Sequence, residues 1–280
     1  MIYKKILMCK PKYFDVIHKN LNIHMKMLKN VNLNKSMNQW NNLTNIFKNN
    51  GVNVEYIKSE VNLVDMVFTA NGALIYKDKA LISKFNAEPR MKESLAHYKY
   101  FTHNQYNTYK MITDFEGAGD GLFSHSKKHL WLGYGFRSNQ DSKNEIKDII
   151  NDNTLNIHSL KLIQPEWYHL DTCFCPFGDN YLILYENAFD KESLKKIYDV
   201  YDYDKCISVS YEDAINFTCN SVCIIDNNQN IILIGHKYYD EFKSKIKNIG
   251  YNFIECNMSE FLLSGGSVKC SVLDIDKVNI

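Results

Sequence analysis

Only two of the 33 basic residues in this chain are arginine, Arg90 and Arg137. A planar guanidinium with five donors grips a carboxylate or phosphate bidentately and fixes its orientation, which a lysine point charge does poorly. An internal ion pair would also account for either residue. Each, however, lies beside a segment dense in unusual polar residues, and that company reads the pair as a clamp for a substrate carboxylate.

Those segments carry the rest of the candidate chemistry. Asp65 sits in VDMVFTANGAL, Glu116 and Asp120 in FEGAGDG, His169 and Asp171 in WYHLDTCFC, Cys219 and Asn220 in FTCNSVC, and Cys270 in SGGSVKCSVL. A cysteine, a histidine and an acid supply a nucleophile, an acid/base and an orienting group. An ordinary thiol protease or acyl transferase has no role for the extra aspartates, which suit a cationic substrate. Taken singly, Cys270 reads as a buried core thiol and His169 as a hydrogen-bonded imidazole; the constellation says more than any member. The GAGDG run has neither Rossmann nor P-loop spacing. His169, Cys173 and Cys175 lack a second ligand pair at finger-like spacing, so no metal is expected.

The elements that must position these residues follow a loose internal repeat. A helical pattern, a short polar break and an extended apolar-polar stretch recur along the chain. Met37, Trp40, Leu43, Ile46 and Phe47 keep helical spacing and stop at Asn49-Asn50-Gly51 before VNVEYI. Leu95, Tyr98 and Phe101 precede YNTYKMI; Ile146, Ile149 and Ile150 precede LNIHSLKLI; Leu194, Ile197 and Tyr198 precede KCISVS; Phe242, Ile246 and Ile249 precede YNFIEC. Strands are predicted to start near residues 52, 106, 155, 205 and 251, a period of about 50 residues repeated five times. With no Pro/Gly/Ser-rich linker, residues 1–280 read as a single α/β domain of five βα-type modules closed in a ring. In such a ring the segments after equivalent strands converge on one axis.

Composition bounds the class. The hydrophobic fraction of 45% suffices for a packed core, and the net charge of +1 with dispersed lysines argues against nucleic acid or an anionic membrane as partner. No apolar run approaches a membrane span, and the start, Met1 to Cys9, is a short amphipathic strand-like segment without a signal-peptide pattern. Eight cysteines without a secretion signal read as free thiols in a cytoplasmic, reducing compartment. Homo-oligomerisation is left open.

DMVFTAN, FEGAGD, GYGFR, YHLDTCF, CN and GGSVKC, in that order over nearly the full length, resemble the guanidino-group-modifying enzyme superfamily. It includes arginine deiminases, dimethylarginine dimethylaminohydrolases, glycine amidinotransferases and the short arginine dihydrolases. The resemblance implies a five-fold pseudosymmetric α/β propeller, the pentein fold, in agreement with the repeat count. It also implies Cys270 as nucleophile, His169 as general acid/base and Glu116 as its paired carboxylate. Asp65 and Asp171 would hold the guanidinium, Arg90 and Arg137 the substrate α-carboxylate, and Asp120 would support the substrate site. The implied substrate is a small guanidino compound, and no cofactor is required.

Within the superfamily, dimethylargininases carry an acidic pair shortly after the VF of the first motif, where this chain has Ala70-Asn71, and tend to lack the aspartate two residues beyond the histidine. The stretch MCKPKYF, Asn22-x-x-Met25, Asn38-Gln39-Trp40 and Asn71 is instead similar to the short arginine dihydrolases, which take arginine past citrulline to ornithine. Asn22 and Asn71 are the expected positioners of a second hydrolysis; Ile23 stands where that group usually has proline. A dimethylargininase, an amidinotransferase to an amine acceptor, and a non-enzymatic scaffold like the ribosome-binding propeller initiation factor remain the alternatives.

Overall fold

The computed structural model describes residues 2–18, 21–25 and 30–277. Strand β1 (Lys5–Cys9) falls inside the expected Met1–Cys9 segment, of which Met1 lies outside the described residues. It pairs in parallel with β2 (Asn53–Ile57) through the helix Leu33–Asn49. Four modules then repeat one scheme, in which an antiparallel hairpin is followed by a helix and a third strand parallel to the second. They are β3 (Ala73–Tyr76), β4 (Lys79–Ile82) and β5 (Asn107–Lys110); β6 (Gly121–Phe123), β7 (His129–Tyr134) and β8 (Asn156–Lys161); β9 (Phe174–Phe177), β10 (Tyr181–Leu184) and β11 (Cys206–Ser208); and β12 (Val222–Ile225), β13 (Ile231–Gly235) and β14 (Asn252–Glu255). The hairpin partner of β1 comes from the far end of the chain. There β15 (Leu273–Asp274) runs antiparallel to it with Leu273 opposite Leu7, completing five three-stranded sheets among the described residues.

Local chemistry explains most boundaries. The Asn32 side chain accepts from Lys35 N at 3.0 Å and caps the first helix; Trp40, Leu43 and Phe47 form its buried stripe; Gly51, at φ +82°, turns the chain out. Asp190 caps the helix Lys191–Tyr198 through Ser193 N at 2.8 Å. The third strands begin at Asn53, Asn107, Asn156, Cys206 and Asn252, each within a residue or two of its expected start. No sequence pattern announces the hairpins. Their strands, such as YLIL and IILIG, are apolar runs buried on both faces, so they show no alternation by which a strand declares itself.

One helix turns otherwise than its pattern suggests. In Glu93–His103 the expected inward Leu95 is 52% exposed, while Glu93, Ala96, His97 and Phe101 face the core. A buried ion pair between Glu93 and Arg90 at 2.8 Å takes precedence over the leucine.

The first strands of successive modules approach one another. Residues of β6, β9 and β12 meet Tyr3 and Lys269 around a small cavity. Among the described residues no helix is long and apolar enough to cross a membrane.

Because β15 is only two residues long, closure depends on the burial of Leu273, 1% exposed between β1 and the core. Leu273→Ala should lower the free energy of unfolding in urea by about 2–5 kcal/mol.

Candidate active site

The turn that precedes each first strand delivers a candidate site residue. Asp65 lies in the turn Val64–Val67 and Asn71 in Thr69–Gly72, before β3; Glu116 immediately precedes the turn Gly117–Asp120, before β6. His169 precedes and Asp171 lies within Leu170–Thr172, before β9; Asn220 precedes β12 and Cys270 precedes β15. All seven are buried. Asn22, Asp65, Asn71, Arg90, Arg137 and Cys270 line one narrow pocket with Tyr168. His169, Glu116 and Asp171 join it through hydrogen bonds.

Two glycines of FEGAGDG make this convergence possible. Gly117 has φ +56°, and a Cβ there would lie 2.8 Å from Ala70 O, Ala73 N and Ala73 O. A Cβ on Gly119 would lie 2.1 Å from Asn71 Nδ2. The run is a close approach of two turns, not an anion cradle.

The Cys270 thiol donates toward Asp171 Oδ2 at 3.4 Å and receives a hydrogen bond from Asn220 Nδ2 at 3.1 Å. Asn220 also accepts from Cys270 N through Oδ1 and donates to Asp171 O, locking thiol and carboxylate together. Burial pushes the Cys270 thiol up, and Asp171 adds to the rise. The other oxygen, Asp171 Oδ1, is buried with no hydrogen-bond partner among the described residues. Asp65 Oδ1 accepts from Ser264 Oγ at 3.0 Å.

His169 Nε2 lies 2.8 Å from Glu116 Oε2, and Asn71 Nδ2 lies 3.4 Å from Nδ1. An amide nitrogen only donates, so Nδ1 accepts and the proton of the neutral ring sits on Nε2, facing Glu116. Burial alone would raise the Glu116 carboxyl, but the Arg137 guanidinium and His169 outweigh it and hold it at about 2.

The two arginines flank the pocket with their forks already engaged. Arg90 grips Glu93 through Nε at 2.9 Å and Nη2 at 2.8 Å, and reaches Asn71 Oδ1 at 2.9 Å and Asp65 O at 3.2 Å. This leaves one N–H of Nη1 outside those bonds. Arg137 bonds Glu116 Oε2 at 3.1 Å and Leu21 O at 2.6 Å, with its guanidinium over the Tyr168 ring. Glu93 escaped the sequence reading, although its i,i+3 spacing from Arg90 was a usable signal.

Asp120 stands behind the pocket instead of lining it. Its oxygens accept from Leu170 N at 2.9 Å and Ser138 Oγ at 2.6 Å, while Ser138 Oγ accepts from Glu116 N at 3.0 Å. It therefore fixes the His169 and Glu116 turns against each other. Asn22 lines the pocket with both amide ends engaged, donating to Ser264 O and accepting from His24 N, each at 3.0 Å.

A family model for eukaryotic N,N dimethylarginine dimethylhydrolase matches residues 10–277. The chain belongs to this family and, with it, to the guanidino-group-modifying superfamily. The bifunctional arginine dihydrolase/ornithine cyclodeaminase AgrE of Nostoc sp. is 34% identical over 97% of the chain, which covers 38% of that protein. The corresponding ArgZ of Synechocystis sp. is 36% identical over 97% of the chain, which covers 37% of it. The chain thus spans well under half the length of these two relatives. N(G),N(G)-dimethylarginine dimethylaminohydrolase of Mycobacterium tuberculosis is 29% identical, with 97% of this chain and 86% of that protein covered. The N-terminal domain of the cyanobacterial arginine dihydrolase ArgZ, solved bound to substrate, matches at a TM-score of 0.91 and 34% identity over 97% of each chain. The five-module arrangement is the pentein propeller.

With a thiol pushed up, the reactive thiolate is a small fraction near neutrality. The rate of Cys270 alkylation by iodoacetamide should therefore climb about tenfold per pH unit from 7 to 9 without reaching a plateau. Mass spectrometry of the labelled peptide checks this; a plateau near pH 7 would contradict the burial argument.

Proposed function

We propose that this chain is a single-domain, cofactor-free hydrolase of the guanidinium C–N bond of arginine, working through a thiouronium on Cys270. The observation that carries the reading is the Cys270 thiol held between Asp171 and Asn220 in a pocket shared with Asp65. A guanidinium is resonance-stabilised and a poor electrophile, so a site must align it against a strong nucleophile. Asp65 and Asp171 bind its N–H groups by charge-assisted hydrogen bonds, with the unpartnered Asp171 Oδ1 a ready acceptor. The arriving cation favours the thiolate by Coulomb attraction.

The protons balance with one histidine. The thiol proton passes to His169, whose Nδ1 carries the lone pair, and Sγ bonds to the guanidinium carbon. The imidazolium protonates the departing nitrogen, the C–N bond breaks, and ammonia leaves a thiouronium. His169 then takes a proton from water, hydroxide adds to carbon, and the C–S bond breaks with loss of the hydroxyl proton; Sγ recovers one of these two protons, ammonia carries the other away as ammonium, and neutral citrulline results. Glu116, held ionised, stabilises the imidazolium in both halves.

Arginine, and ornithine as the final product, are favoured by Asn71 and by similarity to a domain described as an arginine dihydrolase. The Asn71 amide bridges Arg90 and His169, so it can hold a citrulline ureido group against the same acid/base for a second round. A variant of that domain is described as covalently bound to a reaction intermediate, in keeping with a thiol adduct. The family model favours a second reading, hydrolysis of methylated arginine. The eight free thiols suit the cytoplasm.

Incubation with L-arginine and, separately, with asymmetric dimethylarginine, followed by mass spectrometry, tests the assignment. Ornithine from arginine is expected, and Cys270→Ser should lose turnover while melting as a folded protein. Citrulline from dimethylarginine alone would select the second reading, and substantial turnover by Cys270→Ser would eliminate the covalent scheme. The carboxylate clamp has its own check. Arg137→Lys should raise KM for L-arginine about tenfold and leave the inhibition constant of agmatine, which has no carboxylate, within about twofold.

A further inference from the structure

Lys269 precedes the nucleophile and is 4% exposed, although lysine is rarely buried without a task. Its backbone N–H donates to Asn220 O at 3.2 Å, within the turn that presents Cys270. Its side chain is absent from the lining of the substrate pocket. Its Nζ donates to Ala118 O at 3.0 Å, midway along the Gly117–Asp120 turn that follows Glu116. It borders two small cavities around the module contacts, with Tyr3, Cys175 and Asp274 beside it. The charges acting on it are Asp171, Cys270, Cys175 and Asp274, all of which favour the ammonium against burial. Around Cys270 itself stand Asp171, Lys269 and Asn220, with Tyr168, Asp65, Arg90 and Arg137 lining the same pocket.

A neutral side chain such as methionine would fill this volume without the cost of a buried ammonium. The position therefore calls for the charge, the hydrogen bond, or both. The nearby electrostatics favour the charge. Asp171 faces the thiol and opposes the thiolate, and Lys269, with His169, offsets the Asp171 charge.

We propose that Lys269 is a positioning residue for the reaction: its buried ammonium anchors the Glu116 turn through Ala118 O and supplies, from the residue adjoining Cys270, positive charge that stabilises the Cys270 thiolate beside Asp171. This rests on Cys270 being the nucleophile, and it goes beyond that reading in assigning the thiol's poise to a residue outside the substrate pocket.

The test separates charge from hydrogen bond in the full chain. K269Q keeps a donor for Ala118 O without the charge, K269M keeps neither, and K269R keeps both. Cys270 alkylation by iodoacetamide, an uncharged probe, is followed by peptide mass spectrometry from pH 7 to 9.5 alongside kcat and KM. At pH 8, K269Q and K269M should alkylate about tenfold more slowly, and K269R within about threefold of the unsubstituted protein. In K269Q, kcat should fall about tenfold while KM for L-arginine moves less than about threefold. A K269Q protein with an unchanged alkylation profile and unchanged kcat would overturn the proposal.

If neither neutral variant folds, the unsubstituted protein carries the test by 13C NMR of labelled lysine. The Cε signal that moves on alkylation of Cys270 identifies Lys269. An ammonium shift at pH 7.5 supports the proposal, and a neutral-amine shift, or no such signal, overturns it. Because alkylation reads the thiol directly, failure here is distinct from the failure that turnover by Cys270→Ser would signal.

Discussion

Asp65, Glu93, Glu116, Asp120 and Asp171 are all withdrawn from water around a single thiol, and a buried ion without a partner costs several kcal/mol. The site is built around meeting that cost. Arg90 closes on Glu93, Arg137 on Glu116, and Asp120 takes two hydrogen bonds from Ser138 and Leu170. The side-chain bonds form one line, from Glu93 through Arg90, Asn71, His169 and Glu116 to Arg137 and on to the carbonyl of Leu21. Asp65 and Asp171 lie beside this line without an arginine fork of their own. A cation arriving in the pocket would complete the balance, which is the physical basis for proposing a guanidinium as substrate.

The fold serves this arrangement by repetition. Each module ends on an outer strand and hands the chain, through a short turn, to the first strand of the next. Five such turns bring together residues as far apart as Asp65 and Cys270. Closure of β15 on β1 fixes the last of them, and Thr69 Oγ1, donating toward both Leu7 O and Ser271 O, ties that closure to the turn carrying Asn71. Gly117 and Gly119 set how closely the Asn71 and Glu116 turns can pack.

This geometry also changes how the two arginines are understood. A clamp for a substrate carboxylate and an internal ion pair appeared as alternatives in the sequence, yet Arg90 and Arg137 line the pocket while engaged with protein carboxylates. Fixing a guanidinium on one side pre-orients its remaining donors toward the pocket. That lowers the side-chain ordering cost that ligand binding would otherwise carry.

The sequence by itself determined the number of modules, the third strand of each, and the segments that converge on the candidate site. Helical spacing and stop signals such as Asn49-Asn50-Gly51 are local, and rare residue types such as arginine stand out without any structure. The hairpin strands stayed hidden because strands buried on both faces show no alternation. Leu95 faces solvent because a buried ion pair outweighed local amphipathicity. Partnerships were decided only by the tertiary structure: Glu93 with Arg90, Asn71 between Arg90 and His169, Asn220 on the thiol, Asp120 behind the site, Lys269 on Ala118 O. These join residues up to 151 positions apart, as between Lys269 and Ala118. Such pairings arise from the closing of the five modules on one another, which no local pattern encodes.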